Sequence, residues 1–409
     1  MLDKDRLLEF DISDRGGSYL LAACRPQSPP FIRIWRDDPA STPMFVPAAS
    51  ETEFRITSRT QARKLFCLRD EVAVHAFRRW SPLDMAKSFR LSRFHPFTRF
   101  EDGDLTILPL LHRSGQEGID LARAMRTLAE WGVGVSMPDL QATLSYDLVD
   151  HPARAPVPMP AQFPAIGIVI HLHYPDVWPD FEKRLRQITL PFKLIVTVSA
   201  EDTALSAGIR SFHPESRILV YPNRGRDVGP FIQLLREGHF DDVDLVCKLH
   251  GKKSMTLGPR RVFGDVWRRL LLNSLIGSDD AVRRIVRRFC EQPRLGMIGP
   301  SRFRLPNEFR HSHRDVWSNN EELTYRLVQR LGGSRESFKL DFFAGTMFWI
   351  RRELLDILKP LDLSQSDFSD EAGQPDGTLH HALERVFGAL PSLANPAMIL
   401  EDAIWPPEA

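Results

Sequence analysis

Five of the fourteen residues from 151 to 164 (HPARAPVPMPAQFP) are proline. Proline fixes φ and has no N–H to donate, so this stretch can be neither helix nor central strand. It reads as a stiff linker, and the hydrophobic rhythm differs on its two sides. Before it, short β-leaning runs at 18–23, 31–35, 53–56 and 71–77 are broken by Pro, Gly, Asp and Ser clusters. That is the pattern of a small β-rich domain. Over 117–132, Ile119, Leu121, Ala122, Met125, Leu128 and Ala129 recur at helical spacing. The organisation predicted is a β-rich and helical domain over 1–150, a linker over 151–164 and a second domain over 165–409.

After the linker the chain alternates. Continuous apolar runs predict strands at 166–173, 192–199, 217–221 and 244–250. Helices are predicted between them at 178–188 and 229–237, the first with Trp178, Phe181, Leu185 and Ile188 on one face. Strands separated by helices imply right-handed βαβ units, and so an α/β domain with a mainly parallel sheet. Ligands of such sheets bind off the carboxyl ends of the strands. This directs attention to 171–174, 199–202, 223–227 and 250–254.

Length and composition agree with two or three globular domains: 409 residues, 43% apolar and 26% charged. A net charge of +1 gives no argument for nucleic acid. Positions 248–288 are different, with eleven Lys/Arg against three Asp. Within them, Arg268, Arg269, Arg283, Arg284, Arg287 and Arg288 are interleaved with Trp267, Leu270, Leu271, Ile285, Val286 and Phe289. Two readings stand for this stretch: a face for anionic lipid, or a helix covering the sheet with a solvated basic side, the second slightly favoured. Cys24, Cys67, Cys247 and Cys290 show no metal-ligand spacing and suit reduced thiols. The acidic N-terminus is unlike a secretory signal, and no run approaches the ~20 apolar residues that span a bilayer. The expected location is the cytoplasm, with peripheral contact at the inner face of the membrane left open.

Two segments suit anions. Asn223, Arg224, Gly225, Arg226 and Asp227 lie between the third strand and a helix. Glycine permits a tight turn, arginine supplies planar forks, and the helix start adds free N–H groups, so a diphosphate could bind without a Walker motif. A structural turn with an arginine paired to Asp227 is the equally weighted alternative. Lys248, His250, Lys252 and Lys253 crowd the end of the fourth strand, which favours an anionic ligand over a merely exposed basic loop.

Four motifs, NRGRDVGPF (223–231), KLHGKKS (248–254), FAGTMFW (343–349) and DGTLHHALER (376–385), stand in the order found in the rhamnan synthesis protein F family. The chain resembles these glycosyltransferase-like proteins of bacterial surface-polysaccharide clusters over about 166–400. The resemblance extends to the GT-A plan and implies transfer of a deoxyhexose from a nucleotide-diphosphate donor, by family dTDP-rhamnose. The acceptor would be a growing glycan or lipid-linked oligosaccharide. In that plan the fourth strand ends in a metal-binding Asp-x-Asp; here Lys248-Leu-His250 stands in its place. The departure suggests metal-independent transfer with no cofactor, and Arg224, Arg226, Lys252 and Lys253 as diphosphate clamps. Asp202 and Asp227 are fallback metal ligands.

The run 342–350 reads as one strand with a small-residue notch, where Gly345 and Thr346 let a sugar approach and Trp349 either stacks on it or fills the core. An amphipathic helix follows at 351–359. Pro375 and Asp376 are placed in the first turn of the next helix, with His381 and Glu384 on one face lining the acceptor side or forming a buried pair. The resemblance puts the base of an inverting transferase on Asp376, with His250 as the alternative base and helix capping as the competing role. A non-catalytic sugar-binding scaffold is the rival function, kept alive by the missing Asp-x-Asp. GT-B architecture and phosphotransfer are less favoured, for want of a second doubly wound domain and of a Walker motif.

Overall fold

A computed structural model describes residues 6–12, 17–24, 31–39, 44–47, 51–58, 64–69, 72–86, 100–102, 105–110, 157–251, 253, 259–307, 312, 316–371, 373 and 376–404. Its chain divides into two compact units, Met1–His151 with Lys253–Arg269, and Pro152–Lys252 with Leu270–Ala409.

The first unit holds β1 (Leu7–Asp11), β2 (Gly17–Cys24), β3 (Phe31–Arg36), β4 (Met44–Pro47), β5 (Glu51–Ser58), β6 (Lys64–Leu68), β7 (Ala73–Arg79), β8 (Phe100–Asp102) and β9 (Leu105–Leu110). They form two antiparallel sheets, ordered β1-β6-β3-β4 and β7-β2-β5-β9-β8. Alternate residues such as Ile32 and Ile34 on β3, and Phe54 and Ile56 on β5, are buried. This is the period-two burial that a pleated strand with one covered face requires. The helix predicted at 117–132 lies outside the described residues.

The second unit is a mixed α/β structure on a seven-stranded sheet ordered β12-β11-β10-β13-β17-β14-β18. Its chain runs β10 (Ile166–Leu172), α1 (Trp178–Leu185), β11 (Phe192–Val198), α2 (Thr203–Phe212), β12 (Arg217–Val220), α3 (Val228–Arg236) and β13 (Leu245–His250). It continues from Leu270 through the second half of α4 (Pro259–Ile276), α5 (Asp279–Glu291), β14 (Leu295–Pro300), β15 (Arg304–Leu305), α6 (Glu321–Arg330), β16 (Phe342–Phe343), β17 (Phe348–Arg351), α7 (Arg352–Leu355), α8 (Leu379–Leu393) and β18 (Ile399–Ala403). Neighbours β12/β11, β11/β10, β10/β13 and β14/β18 are parallel, whereas β17 runs antiparallel to both β13 and β14.

Every residue of β10 and β13 is buried, as central strands covered on both faces must be. α3 and α8 supply much of one covering layer: Phe231 packs on Phe240 and Phe387, and Phe387 packs on Phe348 of β17. Elsewhere in this unit the buried Arg184 of α1 donates twice to the Asn273 side chain of α4. No helix among the described residues is long and apolar enough to cross a membrane.

Three local expectations are corrected. The run 342–350 is two short strands, because Gly345 (φ +95°) and Thr346 (φ +49°) turn the chain between them. β16 pairs with β15, while β17 enters the large sheet. The helix predicted at 351–359 is α-helical only over Arg352–Leu355 and tightens to 3₁₀ over Asp356–Leu361, where Pro360 interrupts the bonding. Asp376 is not in the first turn of α8: Gly377 adopts φ +77° and Thr378 is the extended residue before Leu379.

Candidate functional site

The loop after β12 turns sharply at Gly225 (φ +68°) and Arg226 (φ +54°) before α3 begins. A Cβ on Gly225 would lie 2.4 Å from the Phe368 ring, so only glycine fits against that side chain. This turn delivers Asp227 to the edge of β13. There the Lys248 ammonium donates to the Asp227 carboxylate and, at 2.9 Å, to the Thr346 carbonyl. Thr346 Oγ1 donates to the same carboxylate. Burial opposes ionisation of Asp227, but the charges of His250 and Lys248 and the bonds from Lys248 and Thr346 hold its carboxyl far below the usual carboxylate range.

The turn between β16 and β17 is pinned from other sides as well. His250 Nε2 donates to the Gly345 carbonyl at 2.7 Å, and the Gly345 N–H donates to Glu384 Oε1 at 2.6 Å. Glu384 also accepts from Arg385 Nη1 at 3.2 Å. Side chains from β13, α8 and the start of α3 thus hold a left-handed non-glycine residue, Thr346. Backbone strain of this kind persists only where its surroundings over-determine it.

Beside this knot, Arg226 forms a two-point pair with Glu371, at 2.7 Å from Nε and 3.2 Å from Nη2. Its bonds from Arg226 keep the Glu371 carboxyl below the ordinary range. Arg226 Nη1 faces His381 Nε2 at 3.4 Å. His381 Nδ1 lies 2.8 Å from Thr378 Oγ1 and 4.0 Å from Asp376 Oδ1. Asp376 accepts from the Asn319 N–H at 3.2 Å and from the Asn320 side chain. Although burial opposes it, the Asn320, Asn319, Ser318 and Gly377 bonds hold the Asp376 carboxyl low. Burial keeps His380 and His381 neutral, their pKa values lowered to about 4, and the positive Arg226 adds to the effect.

Four sequence motifs therefore converge on one sheet edge: Arg226 and Asp227, Lys248 and His250, Gly345 and Thr346, and Asp376, His381 and Glu384. Several roles change. Lys248 is 1% exposed and matched to Asp227, so its charge is spent inside the protein and does not reach a phosphate. Trp349 is 0% exposed and donates its indole N–H to the Leu275 carbonyl, so it is a core residue that no sugar ring can stack on. His250 bears its Nε2 proton toward Gly345, which closes that nitrogen to base catalysis, since a carbonyl only accepts. Asp202 caps α2 by accepting from the Leu205 N–H at 2.9 Å, a structural duty that replaces its fallback as a metal ligand. Asp227, the other fallback ligand, is held by lysine.

Arg224 pairs with Asp370 at 2.8 Å, so both arginines of the turn have acidic partners, though neither is the Asp227 expected from sequence. Asn223 stands in the same turn, half-buried. Lys253 is described and Lys252 lies outside the described residues. On α5 the arginines all have acidic partners, three on the helix itself (Arg283 to Asp279, Arg284 to Asp280, Arg287 to Glu291) and one on β18 (Arg288 to Glu401), while Arg268 of α4 is buried. A solvated helix face is what this pairing describes.

Sequence reasoning missed Asp370, Glu371, Asn319 and Asn320. The only signal was a polar run at 364–371 (SQSDFSDE), and nothing in it names a partner about 145 residues upstream.

Residues 133–395 match the family described as rhamnan synthesis protein F. The chain belongs to this family. It is also 33% identical over 267 residues, 63% of its length, to a protein named "Uncharacterized protein WxcX" in Xanthomonas campestris pv. campestris strain B100. The WxcX of a second strain of that pathovar matches equally, at 33% over 267 residues. The matched span is 36% of each relative, so the chain corresponds to little more than a third of their length.

Proposed function

We propose that the second unit is a glycosyltransferase that moves a sugar from a nucleotide diphosphate to a growing bacterial surface polysaccharide. The observation that carries this reading is the convergence of the four motifs at the carboxyl edge of the sheet. Strands β12-β11-β10-β13 form a parallel half, and the reversed β17 begins the second half. That arrangement supports the GT-A plan: a donor half followed by an acceptor half. Membership of a rhamnan synthesis family supports a deoxyhexose, with dTDP-rhamnose the first donor to try and a glycan or lipid-linked oligosaccharide the acceptor.

The diphosphate belongs at the turn of Asn223, Arg224, Gly225 and Arg226, where two guanidinium forks flank the start of α3. Lys252 and Lys253, close after His250 in sequence, are kept as candidate diphosphate ligands on sequence grounds alone. Lys248 and Asp227 form the floor rather than a ligand. Lys248-Leu-His250 at the place of an Asp-x-Asp supports transfer without a divalent metal, with charge on the leaving group met by side chains. The acceptor side is the wall of Gly345, Thr346, Asp376, His381 and Glu384, and a base on that wall makes the reaction inverting.

A second reading is a nucleotide-sugar or glycan-binding scaffold without turnover. It is favoured by one observation: Arg224 and Arg226 already hold acidic side chains. Release of nucleoside diphosphate from dTDP-, UDP- and GDP-sugars, with a glycan acceptor and with or without EDTA, decides between them. Turnover that survives EDTA supports the metal-free enzyme. Activity abolished by EDTA removes the metal-free mechanism, and binding without turnover of any donor selects the scaffold.

A further inference from the structure

We infer that His381, rather than Asp376 itself, takes the proton from the acceptor hydroxyl, and that Asp376 acts behind it as a positioning residue. This rests on the glycosyltransferase reading above and assigns the base within it. A guanidinium only donates, so Arg226 Nη1 at 3.4 Å marks His381 Nε2 as the ring nitrogen carrying the lone pair. The ring proton is then on Nδ1, facing Thr378 Oγ1 at 2.8 Å with Asp376 Oδ1 beyond at 4.0 Å. The Thr378 hydroxyl also lies 2.9 Å from His380 Nδ1 and 3.1 Å from His380 Nε2, so it stands between the two rings. An imidazole whose Nδ1–H is held by the Thr378 hydroxyl keeps its lone pair on Nε2, the form a proton acceptor needs once Arg226 moves off that nitrogen.

Asp376 is poorly suited to abstract a proton directly. Its two carboxylate oxygens already take donors from Asn319 and Asn320, which hold the group in place and occupy the oxygens an acceptor hydroxyl would have to reach. Fixed there, its negative charge favours the imidazolium that forms. The groups acting on His381 are His380, Arg226 and Arg385, which oppose its protonation, and Asp376, which assists it.

Arg226 links this base to the donor. In this structure it spans Glu371 and His381. When a diphosphate draws the guanidinium forward, His381 Nε2 is uncovered for the hydroxyl. The hydroxyl oxygen then forms the new bond to the anomeric carbon as the bond from that carbon to the diphosphate oxygen breaks. The diphosphate leaves with the electron pair, the hydroxyl proton rests on His381 Nε2, and it is lost to solvent after the product departs.

The experiment compares His381→Gln, His381→Asn and Asp376→Asn in the full chain, with transfer rate, pH profile and calorimetric binding of the nucleoside diphosphate as readouts. Both His381 variants are expected to bind the diphosphate within about threefold of wild type and to lose on the order of 100-fold or more in transfer. Asp376→Asn is expected to keep residual transfer and to move the acid limb of the profile to lower pH, because the charge that assists imidazolium formation is gone. Transfer within a few-fold of wild type in either His381 variant overturns the inference. So does complete loss in Asp376→Asn while His381→Asn stays active. A wild-type protein that turns over no donor sinks the glycosyltransferase reading itself, a result distinct from either of these.

Discussion

The ammonium of Lys248 on β13 and the carboxylate of Asp227 before α3 form a buried ion pair that also fixes Thr346. Twenty-one residues separate them in sequence, and a parallel sheet edge brings them together. The pair joins the arginine turn to the Gly345–Thr346 turn, so both walls of the site share one internal anchor.

Removing one member of this pair leaves an uncompensated charge in a dry place. Asp227→Ala is therefore expected to lower unfolding free energy by about 3–5 kcal/mol. The double change Asp227→Leu with Lys248→Met should lose much less stability while still impairing transfer. Denaturant melts of the two proteins check this; equal losses would show that packing rather than charge sets the cost.

Gly225 sits at φ +68° with the Phe368 ring where a Cβ would go. Gly225→Ala combines a left-handed backbone penalty with a clash, and about 2–4 kcal/mol of destabilisation is expected. Binding of nucleoside diphosphate should weaken in the same variant, since the turn that presents Arg224 and Arg226 must shift. Unchanged melting and binding would remove Gly225 from this role.

Glu371 competes with any anion for Arg226. Glu371→Gln keeps the shape and removes the charge, so nucleoside diphosphate should bind about tenfold more tightly, as expected for losing one charge-assisted competitor. Isothermal titration at fixed ionic strength measures it. Weaker binding would mean that Glu371 orients Arg226 for the ligand instead of competing for it.

Burial keeps His171 neutral, its pKa lowered to about 3, and His380 and His381 are lowered to about 4. Well above pH 6.5 these rings are neutral both folded and unfolded and leave stability unchanged. As pH falls below that, the unfolded chain takes up protons that the folded one refuses, so stability drops steadily toward pH 4. Denaturation midpoints between pH 7 and 4.5 should follow this slope, and replacing His380 and His381 by Gln should flatten it. A pH-independent midpoint across that range would contradict the assignment.

Trp349→Phe should cost stability through lost packing and the lost bond to the Leu275 carbonyl, yet leave the KM for donor and acceptor within about twofold of wild type. Steady-state kinetics on the folded variant test it. A large KM rise with normal stability would return the ring to the sugar site.

Much of the second unit was legible in the chain. Apolar runs with β-branched residues located β10, β11 and β13 within a few residues, because a buried parallel strand needs a continuous apolar stretch, and the short run of β12 marked the edge strand. The Gly-Arg turn and the four motifs also marked which residues would gather at the sheet edge. What sequence could not supply was the pairing. Lys248 was placed as a phosphate ligand because its face and charge were readable, while the carboxylate that neutralises it was not. Asp370 and Glu371 were silent for the same reason, and Trp349 could be weighed only as core or ligand.

Sequence by itself determined the alternation of strand and helix after residue 165 and the family, since these rest on local periodicity and motif order. Tertiary structure alone decided which charges face one another, which groups surround the ring of His381, and where the run at 342–350 breaks. The physical reason is range. Propensity and burial patterning act over a few residues, whereas ion pairs such as Lys248–Asp227 and Arg226–Glu371 are set by groups the fold brings together from 21 and 145 positions apart.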